Sequence, residues 1–348
     1  MRRSVVLLAT FAVLAGPPVA GTSTAGAQDP ATSTVATGLH VPWGIAFLPD
    51  GSALVSERTT GRIVQIGADG SKRVAMRVPG VATNAGEGGL LGLALSPRYA
   101  QDRLVYAYFT TRRDNRIVRF QLGGRVRPIV TGIRRGVIHD GGRIAFGPDG
   151  KLYAGVGETG DRGLAQERRA QNGKILRMNP NGSVPSDNPF RGSRVWSWGH
   201  RNVQGLAWDG AGRLWATEFG QDRFDEVNLI RKGRNYGWPT VEGVGSTRGG
   251  RFVNPLITWP TSQASPSGDA VVGDTLYVAT LQGQRLYRIP IQGTRLGSPT
   301  RLLAGRYGRL RTVARAPDGS LWVTTSNRDG RGQPRSGDDR IIRVAVQS

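Results

Sequence analysis

One unit recurs six times along this chain and leaves few folds open to it. An apolar strand, a Pro-Asp-Gly or equivalent turn and a second alternating strand occur as WGIAFLPDGSALVSE (43–57), GLALSPRYAQDRLVYAYF (92–109) and RIAFGPDGKLYAGVG (143–157). The unit returns as GLAWDGAGRLWATE (205–218), DAVVGDTLYVATL (269–281) and TVARAPDGSLWVTTS (312–326). Asp-Gly supplies the positive φ of a tight hairpin, and the flanking alternation gives each strand a buried and an exposed face. Further strand-like runs lie between the copies: GRIVQI, NRIVRF, KILRM, QRLYRI and DRIIRV. Six units of about fifty residues, each with material for four strands, predict an all-β, six-bladed β-propeller of four-stranded antiparallel blades. The lead-in STVATG is expected to add a strand that closes the ring with the last blade. Stretches 158–172, 180–198 and 240–268 exceed hairpin length and are expected to form loops on one face, where ligands bind.

Residues 1–27 read as a secretory leader. Arg2 and Arg3 form its basic start, Val5 to Leu14 its apolar run, and Ala25-Gly26-Ala27 its small-residue cleavage site. The arginine pair fits both twin-arginine export and an ordinary leader. The apolar run is too short to span a bilayer and no second one follows, so a secreted or periplasmic protein without a membrane span is expected. With no cysteine, neither a lipid anchor on sulfur nor a disulfide is possible, and stability has to come from packing, metal or both.

The net charge is +22 and the pI about 11.4. The arginines are scattered rather than clustered on one helix or tail, and no zinc-finger spacing occurs, which argues against a nucleic-acid partner. The surplus suits loose association with an anionic cell wall, and it can also draw an acidic cofactor towards a cleft. No extra dimerisation element is evident, so a monomer is expected.

Two polar constellations stand at matching positions of the repeat. One copy opens with His139, one of 3 histidines, and the next with Arg201 and Asn202. With EGGLLGLAL, HDGGRIAFGPDG, GHRNVQGLAW, DEVNLIRKGRNYGWP and YGRLRTVARAPDG in this order, the chain resembles the soluble quinoprotein sugar dehydrogenases. This is the glucose/sorbosone dehydrogenase family, and its aldose sugar dehydrogenase branch fits best, over about residues 36–346. The resemblance implies a six-bladed propeller that binds pyrroloquinoline quinone (PQQ) and calcium. It also implies oxidation of the C1 hydroxyl of aldoses to lactones and a separate electron acceptor.

By the same resemblance His139 is the general base, and a neutral imidazole suits that task. Ile138 stands where the glucose-specific branch has an aspartate, so no carboxylate orients the ring from that position. Arg201 and Asn202 match the pair that binds the quinone, with the guanidinium placed to stabilise developing negative charge. His200 reads as structural. Gly220 and Gln221 match two backbone carbonyls on the catalytic calcium, a hard cation that prefers oxygen. Glu226 and the Tyr236 carbonyl match a second, structural calcium site, and the role of Asp225 is left open. Arg309 and Arg311, two apart on a strand, match the pair that faces the cofactor's carboxylates, and Thr261 a weaker polar contact.

Two positions depart from the family pattern. Glu87 stands where glutamine is common, and a carboxylate repels an anionic quinone unless it is protonated or paired. Gln282 stands where glucose-specific relatives carry a lysine on the cofactor. Two other functions stay open on the sequence. One is a calcium-dependent lactonase-type propeller, the other a non-catalytic carbohydrate- or wall-binding propeller.

Overall fold

A computed structural model describes residues 29–346, so the expected leader at 1–27 lies outside the described residues. Six antiparallel sheets follow one another along the chain, one for each copy of the sequence repeat. The inner strands are Pro42–Phe47, Leu90–Leu95, Ile144–Phe146, Val203–Trp208, Pro266–Val272 and Leu310–Arg315. Each of them touches the inner strand of the next blade, and the sixth touches the first, which closes a ring around a central axis. The runs NRIVRF and KILRM are the third strands Asn115–Phe120 and Lys174–Met178.

Closure follows the sequence expectation. Thr32–Ala36 pairs antiparallel with Ile341–Val344, so the start of the propeller supplies the outer strand of the last blade. The fifth blade departs from four continuous strands. Its outer position is split between Arg295–Leu296 and Thr300–Leu302, which both pair with Arg285–Gln292. Two of the expected long loops also hold outer strands, Val195–Trp198 and Ile257–Pro260.

The core is divided among the blade interfaces. Six apolar clusters form, each joining two adjacent blades; Tyr106 and Tyr108 of the second blade, for example, pack on Ile144, Leu152 and Val156 of the third. The same arrangement joins the last blade to the first through Trp322, Ala316 and Ile45. Alternation along each strand therefore serves two interfaces at once, one per face. Among the described residues, no helix is long and apolar enough to cross a membrane.

Candidate active site

An inner strand and the strand after it run antiparallel, so the start of the first and the end of the second lie at the same end of the ring. His139 precedes the third inner strand, Arg201 and Asn202 the fourth, and Arg309 the sixth. Glu158, Gly220 and Asp329 follow second strands. All of these residues belong to one end of the ring, where a cavity of about 270 Å³ opens with Asp329 on its wall. Its wall includes Trp43, Arg58, Glu87, Ile138, Asp140, Gln204, Phe219, Arg311, Asp329 and Arg331.

His139 is buried, with a left-handed backbone at φ 56°. Its Nδ1 contacts a carboxylate oxygen of Glu158. Its Nε2 lies 2.9 Å from an Arg201 Nη. A guanidinium only donates, so Nε2 is the unprotonated nitrogen and Nδ1–H donates to Glu158. The imidazole is neutral, oriented from behind, and carries its lone pair towards Arg201. Sequence reasoning looked for the orienting carboxylate beside the histidine and found Ile138 there; the fold supplies it from the end of the next strand.

Arg201 is fixed by its own ring of acceptors. Nε and Nη2 donate to Gln221 Oε1 at 3.1 and 2.8 Å, and Nη1 donates to the Phe219 carbonyl at 3.1 Å. Its backbone N–H donates to Glu218, whose other oxygen lies 2.8 Å from His200 Nδ1. His200 is fully buried and stacked on Tyr236 at 4.7 Å. Asn202 accepts from Gly141 N–H at 3.1 Å, while its buried Nδ2 has no partner.

Arg309 and Arg311 converge on Asp329, both approaching one of its oxygens, at 3.1 and 3.6 Å. Burial draws the Arg311 guanidinium down to about 9 against the pull of Asp329, so it is short of negative charge. Glu87 is paired rather than free. Burial raises its pKa, but the His139 N–H at 2.8 Å and Arg331 at 2.8 Å outweigh that and hold it below the usual range. Arg331 thereby removes the repulsion expected of a bare carboxylate.

Asp140 was not singled out from the sequence. One of its oxygens accepts from Asn115 at 2.8 Å and Gly136 at 2.9 Å, the other is buried without a partner, and burial lifts its pKa to about 6. Beneath the wall Arg143 stacks over Trp43 at 4.2 Å and donates to the Gln204 carbonyl at 2.8 Å.

Of the expected site residues, Glu87 and Arg311 line the cavity, and His139, Arg201, Asn202, Arg309, Gly220 and Gln221 do not; neither do Thr261 and Gln282. Thr261 donates to the Asp222 carbonyl at 3.2 Å and braces a neighbouring loop. Gln282 is exposed, and it is the preceding Leu281 that lines the cavity.

Gly220 and Gln221 open a loop whose backbone is held by carboxylates. Glu242 Oε1 accepts from the N–H groups of Gln221, Asp222, Arg223 and Phe224 at 2.7 to 3.2 Å. Asp225 accepts from Gly220 N–H at 2.9 Å and Ser265 N–H at 2.7 Å, so it braces backbone and pairs with no arginine. Glu226 is buried directly across the sheet from Glu218. Burial first, and the Glu218 charge second, lift its pKa to about 8. The Glu226 carboxylate, buried opposite Glu218, supplies hard oxygen donors of the kind a hard cation prefers. Among the described residues, no three acidic, histidine or cysteine side chains are grouped to hold a metal by themselves.

Residues 39–342 match the Glucose / Sorbosone dehydrogenase family. The chain is 52% identical to a PQQ-bound aldose sugar dehydrogenase of Streptomyces coelicolor, covering 93% of this chain and 100% of that one with a TM-score of 0.88. It is 31% identical to an aldose sugar dehydrogenase of Escherichia coli, over 84% of this chain and 89% of the relative. It is also 31% identical to quinoprotein glucose dehydrogenase B of Acinetobacter calcoaceticus, over 72% of this chain and 61% of that protein. The chain belongs to the glucose/sorbosone dehydrogenase family and stands among its quinoprotein sugar dehydrogenases.

Proposed function

We propose that this chain is an exported aldose dehydrogenase that uses PQQ and calcium, oxidises the C1 hydroxyl of a sugar to the lactone and passes the electrons to a separate acceptor. The observation that carries the reading is the imidazole of His139, held by Glu158 at Nδ1 with its Nε2 lone pair directed to Arg201. PQQ, when bound, supplies the quinone that takes up the hydride from C1. His139 Nε2 takes the hydroxyl proton, and Glu158 stabilises the imidazolium that results. The arriving hydroxyl exchanges with Arg201 as the donor to Nε2. The displaced guanidinium then serves developing negative charge.

The residues present suit an acidic, carbonyl-rich cofactor. Arg311, Arg309 and the unpartnered Asn202 Nδ2 offer charge and donors to it. The Gly220 and Gln221 carbonyls would hold one calcium, and Glu226 with the Tyr236 carbonyl a second. Thr261 and Gln282 would enter only as outer contacts. The test is reconstitution of the purified protein with PQQ and Ca²⁺, with aldoses and an artificial electron acceptor. Saturable dye reduction that collapses in His139→Ala supports the reading. Lactone hydrolysis without cofactor, or sugar binding with neither activity, overturns it.

A further inference from the structure

We propose that Arg58 is a cofactor-binding residue, its guanidinium gripping a cofactor carboxylate from the first blade while Arg311 serves the sixth. It lies outside every motif that carries the family resemblance. The inference rests on the PQQ reading above and extends it to a position the reading does not need.

Arg58 follows the second strand of its blade, Ala53–Glu57, and is 7% exposed on the cavity wall. Its backbone is pinned at both ends, with N–H donating to Val41 at 3.1 Å and the carbonyl accepting from Leu90 at 3.2 Å. Gly89 leaves room for the stem, since a Cβ there would come within 2.8 Å of Arg58 Cγ. The side chain is thus placed rather than loose.

Its head group lacks partners. Nε is buried with none, and Nη2 makes only a 3.4 Å contact with the Asp329 carbonyl. The other two arginines of the wall are engaged, Arg311 with Asp329 and Arg331 with Glu87. Among the described residues, Arg58 alone of the three forms no ion pair with a carboxylate. A guanidinium held in a wall with unmet donors is costly unless an acceptor arrives. A planar carboxylate matches its fork of donors, whereas a neutral sugar supplies no charge. PQQ is a tricarboxylic acid, so the acceptor belongs to the cofactor rather than the substrate.

The experiment titrates PQQ into apo-protein and follows tryptophan quenching, with no turnover involved. Arg58→Gln is expected to weaken Kd about 10- to 100-fold, the range for one charge-assisted pair. Arg58→Lys keeps the charge but loses the fork, and falls between. With the trimethyl ester of PQQ, wild type and Arg58→Gln bind alike. Apo Arg58→Gln melts no lower than wild type, because an unpaired buried charge has been removed.

Equal PQQ affinity in wild type and Arg58→Gln overturns the assignment. So does a loss that is the same for acid and ester, or one that comes with a lower melting temperature, since either marks a structural role. If wild type itself fails to bind PQQ, it is the underlying cofactor reading that fails.

Discussion

The carboxylate of Glu158 receives the Nδ1–H of His139, and this contact within one blade decides which ring nitrogen faces Arg201. Removing its charge while keeping its shape tests the arrangement. Glu158→Gln lets the amide present either a donor or an acceptor to Nδ1, so the ring is no longer held in one tautomer. The expected loss is roughly 10²- to 10⁴-fold in kcat, with KM and PQQ affinity little changed. Steady-state kinetics beside a calorimetric titration of cofactor would check it. A variant with wild-type kcat would show that Glu158 does not orient the base.

Gly157 is a second lever on the same histidine. A Cβ on Gly157 would collide with the His139 carbonyl and lie 2.9 Å from Asn202 Oδ1. Both obstacles are fixed, one backbone and the other a buried amide, so the chain itself has to move. Gly157→Ala should cost about 1–3 kcal/mol of stability. It should also lower kcat, because the displaced atoms carry the general base. Chemical denaturation together with turnover measures the two effects; a variant as stable and active as wild type would contradict the packing.

The repeat made the ring legible because each copy carries the same turn and alternation, and neighbouring copies can only bury both faces by packing side by side. The closing strand could be read for a related reason: STVATG had no partner nearby in sequence. Glu158, Glu218 and Arg58 were harder. Each stands at or just after the end of a second strand, next to glycine or threonine, where a single copy reads as an ordinary polar turn. Glu57 and Glu218 close their second strands at equivalent positions, whereas Glu158 stands two residues beyond the end of its own, Val156. Even so, Glu57 holds local contacts with Thr60 and Arg62, while the other two reach histidines. What tells them apart is the fold within each blade, which brings a histidine from before the inner strand to the end of the second. Thr261 and Gln282 were placed by resemblance alone, and a shift of one residue at a strand end is enough to turn a side chain from the cavity to solvent.

Asp269 makes a prediction about pH. It lies on the fifth inner strand with both carboxylate oxygens buried and unpartnered. Burial raises its pKa from 3.8 to about 8, against the opposing pull of Arg143. The folded protein therefore keeps a proton that the unfolded chain gives up above its ordinary value. Stability conferred by that proton is complete below the unfolded pKa and drains away as pH climbs to about 8. Asp269→Asn removes this titration. The variant should gain on wild type from about pH 5 to about pH 8 in urea denaturation, and the difference should level off above that. A constant difference across that range would mean Asp269 does not titrate as its surroundings dictate.

Calcium should act through the facing pair Glu218 and Glu226. Glu226 has its pKa lifted to about 8 by burial and by Glu218, so near neutrality it largely holds a proton. A bound cation needs the ionised carboxylate and must displace that proton, which makes its effect weaker in acid and stronger as pH rises. Added Ca²⁺ should raise the melting temperature, with roughly 3 kcal/mol gained when its concentration is about 100-fold over Kd. A chelator should reverse the gain, and both responses should grow from about pH 6 to about pH 9. Glu226→Gln supplies the neutral state permanently. It should therefore melt higher than wild type in calcium-free buffer at alkaline pH, yet lose the part of the calcium response that comes from this pair. Calorimetric scans with and without calcium on both proteins decide the matter. Wild-type scans unmoved by calcium and chelator at every pH would remove the metal from this corner of the propeller.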